Sequence, residues 1–85
     1  MGKSIGTSEQ KKLIALLRRI RVDAGLRQVD LGNRLKRPQS FVSKYESGER
    51  RLDLLELRQV CVAVGINLAA FVRKFEESLT RRMRH

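Results

Sequence analysis

Apolar residues recur at helical spacing along most of the chain. Leu13, Ile14, Leu17, Ile20 and Ala24 follow the polar run TSEQ, in which Thr7 and Gln10 have the spacing of a capping box, and this predicts a first helix over about 9–24. Gly25 stands where a left-handed residue would end it. Gln28, Val29, Leu31, Gly32 and Leu35 predict a second helix, so short that only packing can hold it, ending before Pro38. Pro38 has a preset φ and no N–H to donate, which suits the first turn of a third helix running to about Ser47 and closed by Gly48. Val42 and Tyr45 share one face of that helix, so Gln39, Ser40, Ser43 and Lys44 point elsewhere.

Asp53 and Glu56 repeat the capping-box spacing ahead of a fourth helix, with Leu54, Leu57, Val60, Cys61 and Val64 inward and Gly65 as its stop. Ile66 and Asn67 lead into a fifth, with Leu68, Phe71, Val72, Phe75 and Leu79 along one stripe. Few stretches alternate as strands do. The pattern therefore predicts an all-α, five-helix domain over 9–80, preceded by a flexible segment at 1–8 and followed by a basic tail at 81–85.

Eighty-five residues with 41% apolar content suffice for one compact domain with a modest core. Charge changes the picture more. The net charge of +10 is distributed unevenly: +4 over 1–26, +4 over 27–51, −1 over 52–72 and +3 over 73–85. Such a surplus on a small chain points to a polyanionic partner. The nearly neutral third segment reads as core or subunit contact, while the others can face phosphate.

Candidate chemistry is sparse. Cys61, the single cysteine, cannot form an intrachain disulfide and reads as a buried thiol, and His85, the single histidine, cannot complete a metal site with it. With no other His, no Cys/His pair and no partnered carboxylate cluster, the sequence predicts neither an enzyme nor a cofactor. The longest charge-free run, VCVAVGINLAAFV, is shorter than the roughly 20 residues of a membrane span. No signal peptide precedes it, so a reduced, cytoplasmic setting is expected. Three Phe, one Tyr and no Trp form no evident platform for stacking RNA bases.

Two short helices joined by a tight turn and followed by a basic loop have the form of a helix-turn-helix, whose second helix can enter a DNA major groove. The run GLRQVDLGNRLKRPQSFVSKYESGERR resembles the helix-turn-helix family of the phage lambda and 434 repressors and Cro, and of the small bacterial regulators often called XRE-type. The likeness covers roughly residues 13–72. It rests on Gly25-Leu26 before the motif, Gln28, Leu31 with the small Gly32, Gln39-Ser40, Val42-Ser43, Glu46 and Gly48.

The resemblance implies a lambda-repressor-like domain that binds double-stranded DNA and regulates transcription, as a repressor dimer on a pseudo-palindromic operator. It implies that Gln28 bonds a phosphate and braces Gln39, that Gly32 lets two helices cross closely, and that Arg21 and Glu46 form an ion pair. The residue chemistry agrees: Gln39 suits adenine N6 and N7, and Lys44 suits guanine O6 or N7. Ser40 and Ser43 are short enough to let the backbone approach. Lys36, Arg37, Arg50 and Arg51 border that face as phosphate contacts. Phe41 is left between packing against the second helix and touching a thymine methyl or sugar.

Two residues depart from the family pattern. Lys36 occupies a turn position that is commonly Gly, so it must take a left-handed backbone or the turn must differ. Pro38 replaces the usual Ser or Thr N-cap. Small proteins similar to this one include antitoxins and restriction-modification controllers, so a partner toxin is the alternative expectation. The apolar stripe of the fifth helix, with apolar residues of the fourth, is the expected homodimer contact.

Overall fold

A computed structural model describes residues 7–81 and sets five helices along them: α1 (Ser8–Asp23), α2 (Gln28–Leu35), α3 (Gln39–Ser47), α4 (Leu54–Val64) and α5 (Leu68–Arg81). No strand occurs among the described residues. The element order is the one the apolar periodicity predicts, and the differences lie at the ends. Thr7 and Ser8, expected in a flexible segment, start α1: the Thr7 hydroxyl accepts the Gln10 N–H at 3.0 Å. Arg81, expected in the tail, is the last residue of α5. The remainder of the expected leading segment and tail, 1–6 and 82–85, lies outside the described residues.

Capping accounts for most of the boundaries. Asp53 and Glu56 form the reciprocal box the spacing predicts, with Glu56 N–H donating to Asp53 Oδ1 at 2.8 Å and Asp53 N–H donating to Glu56 Oε1 at 3.0 Å. Asn67 Oδ1 accepts the Ala70 N–H at 2.8 Å and opens α5, a cap that the apolar pattern does not announce. Pro38 is the N-cap of α3 and not a member of its first turn. Its φ of −65° suits either place, but its ψ of 156° is extended, so the helix starts one residue later.

The core is drawn from every helix: Leu17 from α1, Leu31 from α2, Phe41, Val42 and Tyr45 from α3, Val60 and Cys61 from α4, and Phe71 from α5. α2 and α3 pack on each other, α1 packs on α3 and α5, and α4 packs on α2 and α5. Three expected inward residues are not inside. Leu54 is 65% exposed because it is the first residue of α4, one turn before the core begins at Leu57. Val72 is 42% exposed because it follows Phe71 by about 100° around α5, which turns it away from the buried side. Ala24, just past the end of α1, is also exposed. Phe75 and Leu79 are half-buried. Among the described residues no single helix is long and apolar enough to cross a membrane; α4 and α5 together have the length but meet at 101°.

The joint between α2 and α3 is set by two backbone constraints. Lys36 takes the left-handed conformation, φ 58° and ψ 42°, in place of the usual glycine, at a cost on the order of 1 kcal/mol. This reversal lets the Arg37 N–H return to the Gly32 carbonyl at 2.9 Å. Gly32 is buried at that crossing, and a Cβ there would lie 2.9 Å from the Arg37 carbonyl oxygen and 3.4 Å from the Gln39 backbone. Backbone cannot swing aside as a flexible side chain would. Gly32→Ala is therefore expected to lower stability by about 1–3 kcal/mol, read as a lower urea midpoint at an unchanged slope.

Candidate nucleic-acid interface

The first turns of α3 present polar side chains outward because Phe41, Val42 and Tyr45 take the inner face. Gln39, Ser40 and Lys44 are exposed. Ser43 is half-buried, and its hydroxyl donates to the Ser40 carbonyl at 3.3 Å. Gln39 Nε2 donates to Gln28 Oε1 at 3.3 Å, which is the brace that the resemblance implies. One amide hydrogen of Gln39 is used in that bond. The other hydrogen and the oxygen remain, and these are the two groups an adenine edge requires.

The brace continues inward. Gln28 Nε2 donates to Glu46 Oε1 at 3.0 Å, and Glu46 also receives Arg21, with Nε to Oε2 at 2.7 Å and Nη2 to Oε1 at 3.0 Å. Arg21 Nη1 donates to the Leu26 carbonyl at 2.8 Å. The two charged side chains are 9% and 5% exposed, so their mutual hydrogen bonds replace water. Bonding to Glu46 raises the Arg21 pKa further above its ordinary value. A continuous polar chain thus runs from α1 through the last turn of α3 and the start of α2 to Gln39.

Around this face Lys36, Arg37 and Arg51 are exposed. Arg50 is not a free cation. It forms a two-pronged pair with Glu56, Nη1 to Oε1 at 3.0 Å and Nη2 to Oε2 at 2.9 Å, and this pairing holds the Glu56 carboxyl at a pKa of about 2. Of the two readings left open for Phe41, its surroundings favour packing. It is only 7% exposed, edge-on to Tyr45 with centroids 5.6 Å apart, and it carries the Arg37 and Arg50 guanidiniums over its ring at 4.2 and 4.9 Å. The ring lies beneath the two arginines and supports them.

The ten sequence-derived site residues are thus divided. Gln28, Gln39, Ser40, Ser43 and Lys44 lie on or beside the outer face of α3; Lys36, Arg37 and Arg51 are exposed on its borders; Phe41 is buried beneath Arg37 and the partly exposed Arg50, both of which pair with Glu56. Arg27 and Asp30 were not anticipated. Asp30 takes the Arg27 backbone N–H at 2.8 Å and its guanidinium at 2.9 and 3.0 Å, which caps α2 and holds the Asp30 pKa at about 2. The only sequence signal for it was an acidic residue in the first turn of a helix.

The Arg21–Glu46 pair separates fold from aim. Glu46→Ala is expected to cost about 3–5 kcal/mol in chemical denaturation, because it leaves a buried guanidinium without its partner. The double change Arg21→Met with Glu46→Leu should restore most of that stability while still depriving Gln28 of its acceptor. Equal losses in the single and double variants would show that the pair itself, and not an orphaned charge, carries the stability.

The comparisons agree with this geometry. The family model described as "Helix-turn-helix domain" matches residues 13–72. The solved structure of an XRE-family like protein from Pseudomonas syringae pv. tomato is similar with a TM-score of 0.80 and 42% identity, covering 89% of this chain and 93% of that one. The clp gene regulator ClgR from Corynebacterium glutamicum is similar at 23% identity and TM-score 0.76, covering 91% of this chain and 82% of its own. The restriction-modification controller protein C.Esp1396I shares the fold at 18% identity and TM-score 0.79, covering 87% and 97%. A further structure of that controller holds its tetramer in complex with its natural 35 base-pair operator. The search of curated proteins returned no match. With the motif in place, the family model spanning most of the chain and a relative of 42% identity along nearly all of it, this protein belongs to the XRE-type helix-turn-helix family.

Proposed function

We propose that the protein is a transcriptional repressor that reads a pseudo-palindromic DNA operator as a homodimer, with α3 in the major groove. The observation that carries this reading is Gln39, exposed at the start of α3, braced by Gln28, with a donor and an acceptor left over for a base edge. Lys44 and Ser40 extend the same face, and Lys36, Arg37 and Arg51 supply cations for phosphates on its borders. That a controller of similar fold is found in complex with its operator supports double-stranded DNA as the partner.

Dimerisation belongs to the proposal because one such helix reads few base pairs, and two half-sites about one DNA turn apart supply the missing discrimination. The exposed apolar surface favours α4 over the stripe of α5. Leu54, Leu55 and Val62 are 65%, 70% and 59% exposed, whereas along the stripe Phe71 is buried, Phe75 and Leu79 are half-buried and Val72 is 42% exposed. The segment 52–72 has a net charge of −1, so it is the part of a +10 chain that a second copy approaches with least repulsion.

Selection from a random DNA pool would define the operator. Gln39→Ala is then expected to cost about 1–3 kcal/mol on that operator and little on random duplex, whereas Arg51→Ala should weaken both alike and lower the salt slope by about one unit. Equal losses for Gln39→Ala on both DNAs would remove its base-reading role. For the dimer, replacing Leu55 and Val62 by Ser should shift sedimentation toward the monomer with helix content intact by circular dichroism. A parent chain that is monomeric at tens of micromolar concentration and protects a single half-site would refute it.

A further inference from the structure

A DNA-facing α3 leaves an acidic residue on its border to be explained. Glu56 lies beside Arg37 and Arg50, where a carboxylate would by charge alone repel phosphate. Its contacts are specific. Oε1 accepts the Asp53 N–H and Arg50 Nη1, both at 3.0 Å; Oε2 accepts Arg50 Nη2 at 2.9 Å and faces Arg37 Nη2 at 3.5 Å. The cluster is layered: the Glu56 side chain is 14% exposed, while those of Arg37 and Arg50 are 40% and 38% exposed. The carboxylate lies beneath, and the two guanidiniums lie outside it over the Phe41 ring at 4.2 and 4.9 Å.

These four residues come from four consecutive parts of the chain: the turn before α3, α3 itself, the loop after it, and the first turn of α4. Two guanidiniums sharing one aromatic ring repel each other, and a carboxylate placed between them offsets that repulsion. Capping α4 needs only one bond to one Glu56 oxygen, yet both oxygens engage arginine. A fork-to-fork pair fixes the plane of a guanidinium as well as its position.

We propose that Glu56 is a positioning residue for DNA binding, holding Arg37 and Arg50 on Phe41 as a preformed pair of phosphate contacts. The proposal rests on the DNA-binding reading above and gives Arg50, although paired with Glu56, a role there. Its consequence runs against net charge. Removing a carboxylate beside a polyanion should tighten binding if charge alone matters; removing an organiser should loosen it, because two long side chains must then be ordered at the moment of binding.

The test uses the full chain, a labelled duplex of random sequence, and fluorescence anisotropy across a salt series. Glu56→Gln keeps an oxygen for the Asp53 N–H, so α4 remains capped, but it turns a donor toward the arginines. Binding is expected to weaken about five- to tenfold, with a shallower salt slope and unchanged helix content. Arg50→Lys keeps the charge and loses the fork, and it should weaken binding in the same direction even if Glu56→Gln proves less stable. Tighter or unchanged binding by Glu56→Gln, a steeper salt slope, or parental affinity in Arg50→Lys would overturn the positioning role. Failure of the parent chain to bind any duplex would instead overturn the DNA-binding reading, and this proposal with it.

Discussion

Removing the Arg21 guanidinium and the Glu46 carboxylate from water is tolerable only when the two meet at hydrogen-bonding distance, and that requirement constrains the rest of the molecule. Apolar packing between α1 and α3 tolerates small slides, because contact area changes little over fractions of an ångström. A two-pronged ion pair does not. It fixes α1 against the last turn of α3, Arg21 also takes the Leu26 carbonyl at the entry to α2, and Glu46 shares an oxygen with Gln28. Both helices of the motif are thereby registered to α1 by polar bonds before their apolar faces are counted. The aim of Gln39 is the outermost expression of that register.

What was legible in the sequence was what depends on near neighbours. Thr7, Asp53, Gly48 and Gly65 set their helix ends as their spacing foretold, since a cap is made with a residue three or four positions away. Val42 and Tyr45 were placed inside by a spacing of three and are 0% and 1% exposed. Lys36 shows how far a local argument reaches: the turn demanded a left-handed residue, and the chain supplies one without glycine.

The less legible part depended on where one element stops covering another. Periodicity put Leu54 on the inner face of α4 but could not say that the core ends one turn short of it. Phe41 is ambiguous between core and groove from spacing alone, because the arginines over its ring, Arg37 and Arg50, come from segments on either side of α3. The pairing of Arg50 was not legible because Glu56, six residues on, reads only as part of a cap. The Arg21–Glu46 pair, 25 residues apart, came from family resemblance, because composition and spacing contain no trace of it.

The brevity of α2 and α3, eight and nine residues, has a consequence for cooperativity. Each spans only about 12–14 Å, below the length at which a helix persists alone in water. The outward face of the motif has no order of its own; it borrows order from α1, α4 and α5 through a core to which all five helices contribute. A peptide cut to the two helices and their turn would be coil, and in the whole chain the motif melts when the domain melts. Any substitution in the core, however remote from α3, therefore acts on the outer face through the fraction of molecules that are folded.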